Sequence, residues 1–336
     1  MKLNFSRLVI LLCCIYFSYP LLAQDKPVVL QDSSRISSKN KNYILLKDTS
    51  LLRKDSIKKA GAAVNADSTA PTPSHLQLNV VYESNSVYLG RPDSTVLPLV
   101  TPEISYIFKS GFEIDFNVGI NVQGPSPQVN SYTLDVSYSF NPGNYSGSVT
   151  LSGFNYSPHS GSPNASNKGS LEYDNSYNFN FIQPGLNLTW SFGSSKPDYQ
   201  VSFSLQHEFD FLNNGNLSIT PTVTMNASTQ NAYNSYYQNK RFSIPRHGKP
   251  PLPANVTVSG EVLNSGKFQI MDYEFSAPVG FTASKWSFNF TPTYAVPVNP
   301  ADIKLTTKIN NQTFNKTYKE SLLNVFYFQV GVTFAF

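Results

Sequence analysis

The chain has 336 residues, with 25 Lys and Arg against 21 Asp and Glu and a formal net charge of +4. That excess sits in one stretch: residues 24–74 hold nine basic and five acidic side chains, and residues 75–336 hold fourteen and sixteen. A slightly acidic remainder leaves no electrostatic footprint for nucleic acid, and the only two cysteines, Cys13 and Cys14, fall near the start, so the rest is expected to carry neither disulfides nor thiolate chemistry.

Residues 1–23 have the form of a secretory signal. Lys2 and Arg7 precede an apolar run from Leu8 to Tyr16, and Leu21-Leu22-Ala23 before Gln24 suits signal peptidase. Cys13 and Cys14 lie inside the apolar run, which continues past them, so acylation of either is disfavoured. Residues 24–74 are basic and poor in aromatics, and they end in Ala, Ser, Thr and Pro. This composition predicts a largely disordered periplasmic segment, either a tether or a basic plug for the strand-rich remainder of the chain.

From His75 onward apolar and polar residues alternate with the period of a strand. The clearest run is 112–122, where Phe112, Ile114, Phe116, Val118, Ile120 and Val122 oppose Glu113, Asp115, Asn117, Gly119 and Asn121. Twelve such strands are predicted, at 75–86, 97–109, 112–123, 130–141, 144–156, 169–182, 186–193, 199–211, 217–229, 266–283, 286–298 and 324–336. The seventh begins where the apolar parity flips, and Pro184-Gly185 is read there as a tight turn, with a bulge as the competing reading. Met271, Tyr273, Phe275, Val279 and Phe281 form one apolar row of the tenth. Links between strands alternate in length: short at 110, 142, 184, 213 and 284, longer at 87–96, 124–129, 157–168, 194–198, 230–265 and 299–323. Short turns on one side, long loops on the other and an even strand count predict an all-β, transmembrane, antiparallel up-and-down β-barrel of twelve strands over residues 75–336, in the bacterial outer membrane.

The charges decide which face meets which environment. The apolar rows are rich in Phe, Tyr and Leu and carry almost no charge, whereas basic residues keep to turns, strand ends and loops. A lysine facing lipid at the midplane costs about 2–4 kcal/mol, which accounts for that avoidance. The polar rows then point inward with eleven acids: Glu83, Glu103, Glu113, Asp115, Asp135, Glu172, Asp174, Glu208, Asp210, Asp272 and Glu274. Such a lining would favour cations over anions, and the expected function is a passive pore or small-solute path. The alternative is a non-conducting surface protein whose external loops bind a partner or a glycan. Candidate contacts are Tyr233, Tyr236, Tyr237, Lys240, Arg241 and Arg246 in the longest loop, where tyrosines interleave with cations. The same loop could instead fold over the mouth and pack on itself.

The last residues, Tyr327 to Phe336, form an alternating strand closing on phenylalanine, and this resembles the terminal signal of Gram-negative outer-membrane barrels. The resemblance implies that Phe334 and Phe336 are read by the barrel-assembly machinery. The run Tyr82…Gly90-Arg91…Thr101-Pro102…Ser105-Tyr106…Lys109-Ser110-Gly111-Phe112 also resembles an uncharacterised barrel family of Bacteroidetes, which brings no substrate with it.

An enzyme is not expected. Of four histidines, His75, His159 and His247 lie at the start of the barrel or in loops, and His207 shares the outward parity of Phe203, Leu205 and Phe209. No Gly-x-Ser-x-Gly or His-x-Ser stretch lies near it. No His or Cys spacing suits zinc and no acidic loop suits calcium, so neither metal nor cofactor is expected. The expected partners are outer-membrane lipid, the assembly machinery and small solutes or cations.

Overall fold

A computed structural model describes residues 73–336 apart from 93–97, 124–125, 158–159, 161, 194–195, 213–215, 240–255 and 311. The readings for the signal (1–23) and for nearly all of the basic segment (24–74) lie outside the described residues, as do Lys240, Arg241 and Arg246.

The alternating runs become the staves of one closed barrel. In chain order they are β1 (His75–Glu83), β4 (Leu99–Ile107), β5 (Phe112–Asn121), β6 (Gln128–Phe140), β7 (Tyr145–Tyr156), β8 (Gly169–Tyr177), β9 (Gln183–Phe192), β10 (Asp198–Gln206) with β11 (Phe209–Phe211), β12 (Leu217–Ile219) with β13 (Thr222–Ser228), β15 (Gln269–Ser276) with β16 (Val279–Ala283), β17 (Trp286–Pro297) and β20 (Val325–Ala335). Each pairs antiparallel with the next, and β20 pairs both with β17 and with β1, which closes the ring at twelve staves. Full closure leaves no sheet edge in the membrane, where an unpaired backbone group is expensive.

Three staves that read as unbroken in sequence are interrupted, at 207–208, at 220–221 and at 277–278. Pro221 and Pro278 sit at two of these breaks, and a proline cannot donate to the ladder. The breaks line up across the wall: His207 N donates to Pro221 O, Thr220 N to Pro278 O, and Ala277 N to Pro292 O. The chain therefore keeps its alternation through the interruption and loses only local pairing.

The flip near Pro184 has a different origin from the one expected. The turn lies four to five residues earlier, where Asn178 Oδ1 accepts from Asn180 N (2.7 Å) and Asn180 takes a left-handed φ of 70°. Asparagine closes such turns with its own side chain and tolerates that backbone region. Pro184 lies inside β9, opposite Leu205. A second departure is at Met271. Asn226 pairs with Asp272 while Ala227 pairs with Ile270, so Met271 is the extra residue of a bulge. It leaves the outward row and is buried.

Two faces result. Leu78, Val80, Ile104, Ile114, Phe116, Leu134, Val136, Leu151, Leu188, Phe203 and Phe290 are exposed on the outside of the cylinder, an apolar band that only hydrocarbon solvates. Exposed aromatics gather at both of its rims. Phe108, Phe112, Tyr138, Tyr177, Phe179, Trp286 and Phe336 lie near the short turns, and Tyr82, Trp190, Tyr199, Tyr294 and Phe326 near the long loops. This is a transmembrane β-barrel of the outer-membrane type, whose long loops define the external end and whose short turns define the periplasmic end.

The long loops carry structure of their own. Within the first, β2 (Val87–Tyr88) and β3 (Arg91–Pro92) form a hairpin. The span 230–265 holds a helix, α1 (Asn231–Asn239), and a strand, β14 (Val256–Val262). The span 299–323 is a hairpin, β18 (Asp302–Ile309) with β19 (Gln312–Lys319), and β14-β18-β19 make a separate three-stranded sheet. Tyr233, Tyr237, Val262, Ala301 and Ile303 form its buried core with α1.

Candidate functional site

Alternation dictates what the barrel encloses. On β17, for example, Phe288, Phe290 and Tyr294 are exposed while Thr291, Thr293 and Ala295 are buried. Reading the register around the wall, one inward row runs Ser105, Asp115, Asp135, Ser152, Ser170, Ser191. Asp115 and Asp135 are direct cross-strand partners and both are buried, Asp135 at 0 % exposure.

Six of the predicted acids share the wall from β4 to β8. Ser105 Oγ donates to Glu103 (3.4 Å) and Ser137 Oγ to Glu113 (3.5 Å). Asn187 Nδ2 bridges Glu172 and Asp174, at 2.9 and 3.5 Å. Three more acids, Glu83, Asp272 and Glu274, are buried near the external end on β1 and β15, and Tyr327 Oη donates to Glu274 at 3.1 Å. Glu208 and Asp210 keep the inward parity but lie apart from the other nine, exposed at the periplasmic end.

The external mouth is tied together by two residues that the sequence did not single out as site residues. Arg91, at 3 % exposure, is the one buried basic residue among those described. Its Nε donates to Glu320 Oε2 at 3.0 Å, and its remaining nitrogens reach the carbonyls of Leu89, Val298 and Asn299. Glu320 also accepts from Tyr233 Oη (2.7 Å) and from Ala301 N (3.2 Å). Burial, with the Glu320 carboxylate beside it, pushes the Tyr233 phenol well above its ordinary range, so it serves as a neutral donor. One carboxylate thus joins the first external loop, α1 and the base of the external sheet.

Helix α1 is also anchored from outside itself. Asp198 accepts from Thr229 Oγ1 (2.6 Å), Asn231 N (2.7 Å) and Ala232 N (2.7 Å). A carboxylate on the free N–H groups of the first turn satisfies orphan donors and complements the helix dipole. Asp198→Ala is expected to free this end of α1 at a cost of about 1–3 kcal/mol, seen as faster amide exchange at Asn231 and Ala232 in the intact barrel.

The predicted loop contacts are redistributed by this packing. Tyr233 and Tyr237 are buried against each other and against the external sheet, rings edge-on at 5.0 Å. Their apolar spacing on a helix is what draws them into a core. Tyr236 lies on the same helix. His207 packs edge-on against Phe209 at 4.4 Å. Among the described residues, no group of three or more His, Cys, Asp or Glu side chains converges in the manner of a metal site.

Neither a family model nor a curated protein matches the chain in sequence. Among solved structures it is similar to the KdgM porin (12 % identity, TM-score 0.41, 77 % of this chain and 99 % of that one). It is likewise similar to an outer membrane channel from Pseudomonas putida (11 %, 0.40, 81 % and 99 %) and to LpxR from Salmonella typhimurium (8 %, 0.38, 78 % and 100 %).

Proposed function

We propose that this barrel is a passive path for small solutes across the outer membrane, with an acidic bore that favours cations. The carrying observation is the makeup of the inner wall. Its inward rows are serine, threonine, asparagine and glutamine interspersed with nine buried or half-buried carboxylates, against one buried arginine at the mouth. Carboxylates lining one aqueous passage attract cations and repel anions. In planar bilayers under a KCl gradient, the reversal potential is expected to show cation preference. Asp115→Asn with Asp135→Asn is expected to reduce the cation-to-anion permeability ratio about two- to threefold. Anion preference, or a folded barrel with no conductance, rejects the reading.

A second reading, a non-conducting surface protein whose loops bind a partner or glycan, is favoured by one observation. The outer edge strand β19 is exposed at every residue, with Phe314, Lys316 and Tyr318 on one face. These side chains are the exposed candidate contacts of this reading. We also assign Phe334 and Phe336 as the signal read by the barrel-assembly machinery, because they stand at the end of the strand that closes the ring.

A further inference from the structure

The first external loop turns back into the barrel. Its hairpin has a two-residue turn, Leu89 and Gly90, with φ of 48° and 71°. A left-handed glycine is ordinary in such a turn; a left-handed leucine is strained and persists only where its surroundings over-determine it. Those surroundings are the inside of the barrel. Val87 packs against Ala295 and Tyr327, which face inward from β17 and β20. Tyr88 and Leu89 pack against Met271, the extra residue of the bulge in β15. Gly90 lies so close above Asp272 that a Cβ on it would stand 2.6 Å from the Asp272 Cβ.

This seating joins unlike surfaces. An apolar tip, Val87-Tyr88-Leu89, lies against a mouth whose neighbouring inward residues include Glu83, Asp272 and Glu274, and Gly90 sits directly over Asp272, which is fully buried. A charged tie holds it there. Arg91 binds the Glu320 carboxylate and the carbonyls of Val298 and Asn299, all three of which belong to the segment between β17 and β20. Glu320 in turn is held by Tyr233 of α1. The ion pair of the hairpin therefore fastens it to the external loops rather than to the staves.

We propose that the β2–β3 hairpin is a gate in the external mouth, latched shut by Arg91 on Glu320, and that its release uncovers the carboxylates of Glu83, Asp272 and Glu274 as the entry for cationic solutes. This rests on the reading of the barrel as a path. A bistable element of this kind is biased by a local change in charge pairing.

The test uses the full chain in lipid vesicles, with Cys13 and Cys14 changed to serine and Val87→Cys introduced. A membrane-impermeant maleimide added on the loop side is expected to label Cys slowly. Labelling should accelerate about tenfold when Glu320→Gln is added, and stay unchanged with Lys308→Gln, an exposed charge on β18. Rapid labelling in the starting protein, or equal rates with and without Glu320→Gln in barrels that keep their folded electrophoretic mobility, overturns the proposal. A second variant, Val87→Cys with Ala295→Cys, pins the hairpin by a disulfide. Its conductance is expected to be low when oxidised and to rise several-fold on reduction in the Glu320→Gln background, and equal, measurable conductance in both states overturns the gate. A barrel silent in every form whose labelling still responds to Glu320→Gln overturns the path and keeps the latch.

Discussion

Leu134→Lys is expected to lower the stability of the folded barrel by about 2–4 kcal/mol, measured by urea unfolding in lipid vesicles. Leu134 stands mid-way along β6, 53 % exposed, next to Asp135 at 0 % exposure. In water, lysine at so open a position changes stability by no more than about 0.5 kcal/mol. The large penalty arises only because the solvent there is hydrocarbon, in which an ammonium group loses its hydration. The neighbouring change Asp135→Asn keeps the size and shape of an inward side chain and is expected to leave folding intact. A harmless Leu134→Lys would contradict a membrane-spanning cylinder outright.

Removing Phe334, Ala335 and Phe336 is expected to abolish assembly, leaving protease-sensitive protein in place of a heat-modifiable band on electrophoresis. β20 is the seam: it makes a ladder with β1 on one side and with β17 on the other. The last residues fasten both. Phe334 sits opposite Leu78 and Trp286 and packs against Trp286 with ring centroids 4.7 Å apart and planes tilted by 53°, Ala335 N donates to Lys285 O, and Phe336 N donates to Leu76 O. Without them the periplasmic ends of β1 and β17 face each other with unpaired donors and acceptors inside the membrane boundary, each costing several kcal/mol. Phe334→Leu keeps the apolar contact and the backbone pairing, so assembly that also fails in this variant would point to recognition of the aromatic ring by the assembly machinery, whereas rescue would assign the effect to the seam.

The barrel was legible because one local rule, period-two alternation, repeats through the chain and puts apolar side chains on the lipid face and small polar ones on the other. A one-residue slip would place Asp115 in lipid and Phe116 inside, so register is written into nearly every residue. What escaped the rule was local. Asn178 and Asn180 close a turn that the parity flip assigned to Pro184, because a side-chain oxygen can do the work of a proline. Met271 looked like part of an apolar row until the bulge took it out of phase. The loops were harder. Ile303, Leu305, Thr307 and Ile309 alternate like any stave, but their lysines set them apart from the membrane strands and hid a sheet that stands in water. Arg91 and Glu320 are 229 residues apart, and no local pattern connects them. The face on which a stave residue lies follows from parity, a backbone property; its hydrogen-bond partners depend on neighbouring strands.

The two tryptophans of the chain stand on the outer surface at opposite rims of the apolar band, Trp286 at the start of β17 and Trp190 near the end of β9. Indole rings in that setting settle at the headgroup level of each leaflet. All of the indole fluorescence of this protein therefore originates at the two lipid–water boundaries and none at the bilayer centre. The separation of the two fluorophores along the membrane normal measures the thickness of hydrocarbon that the cylinder requires.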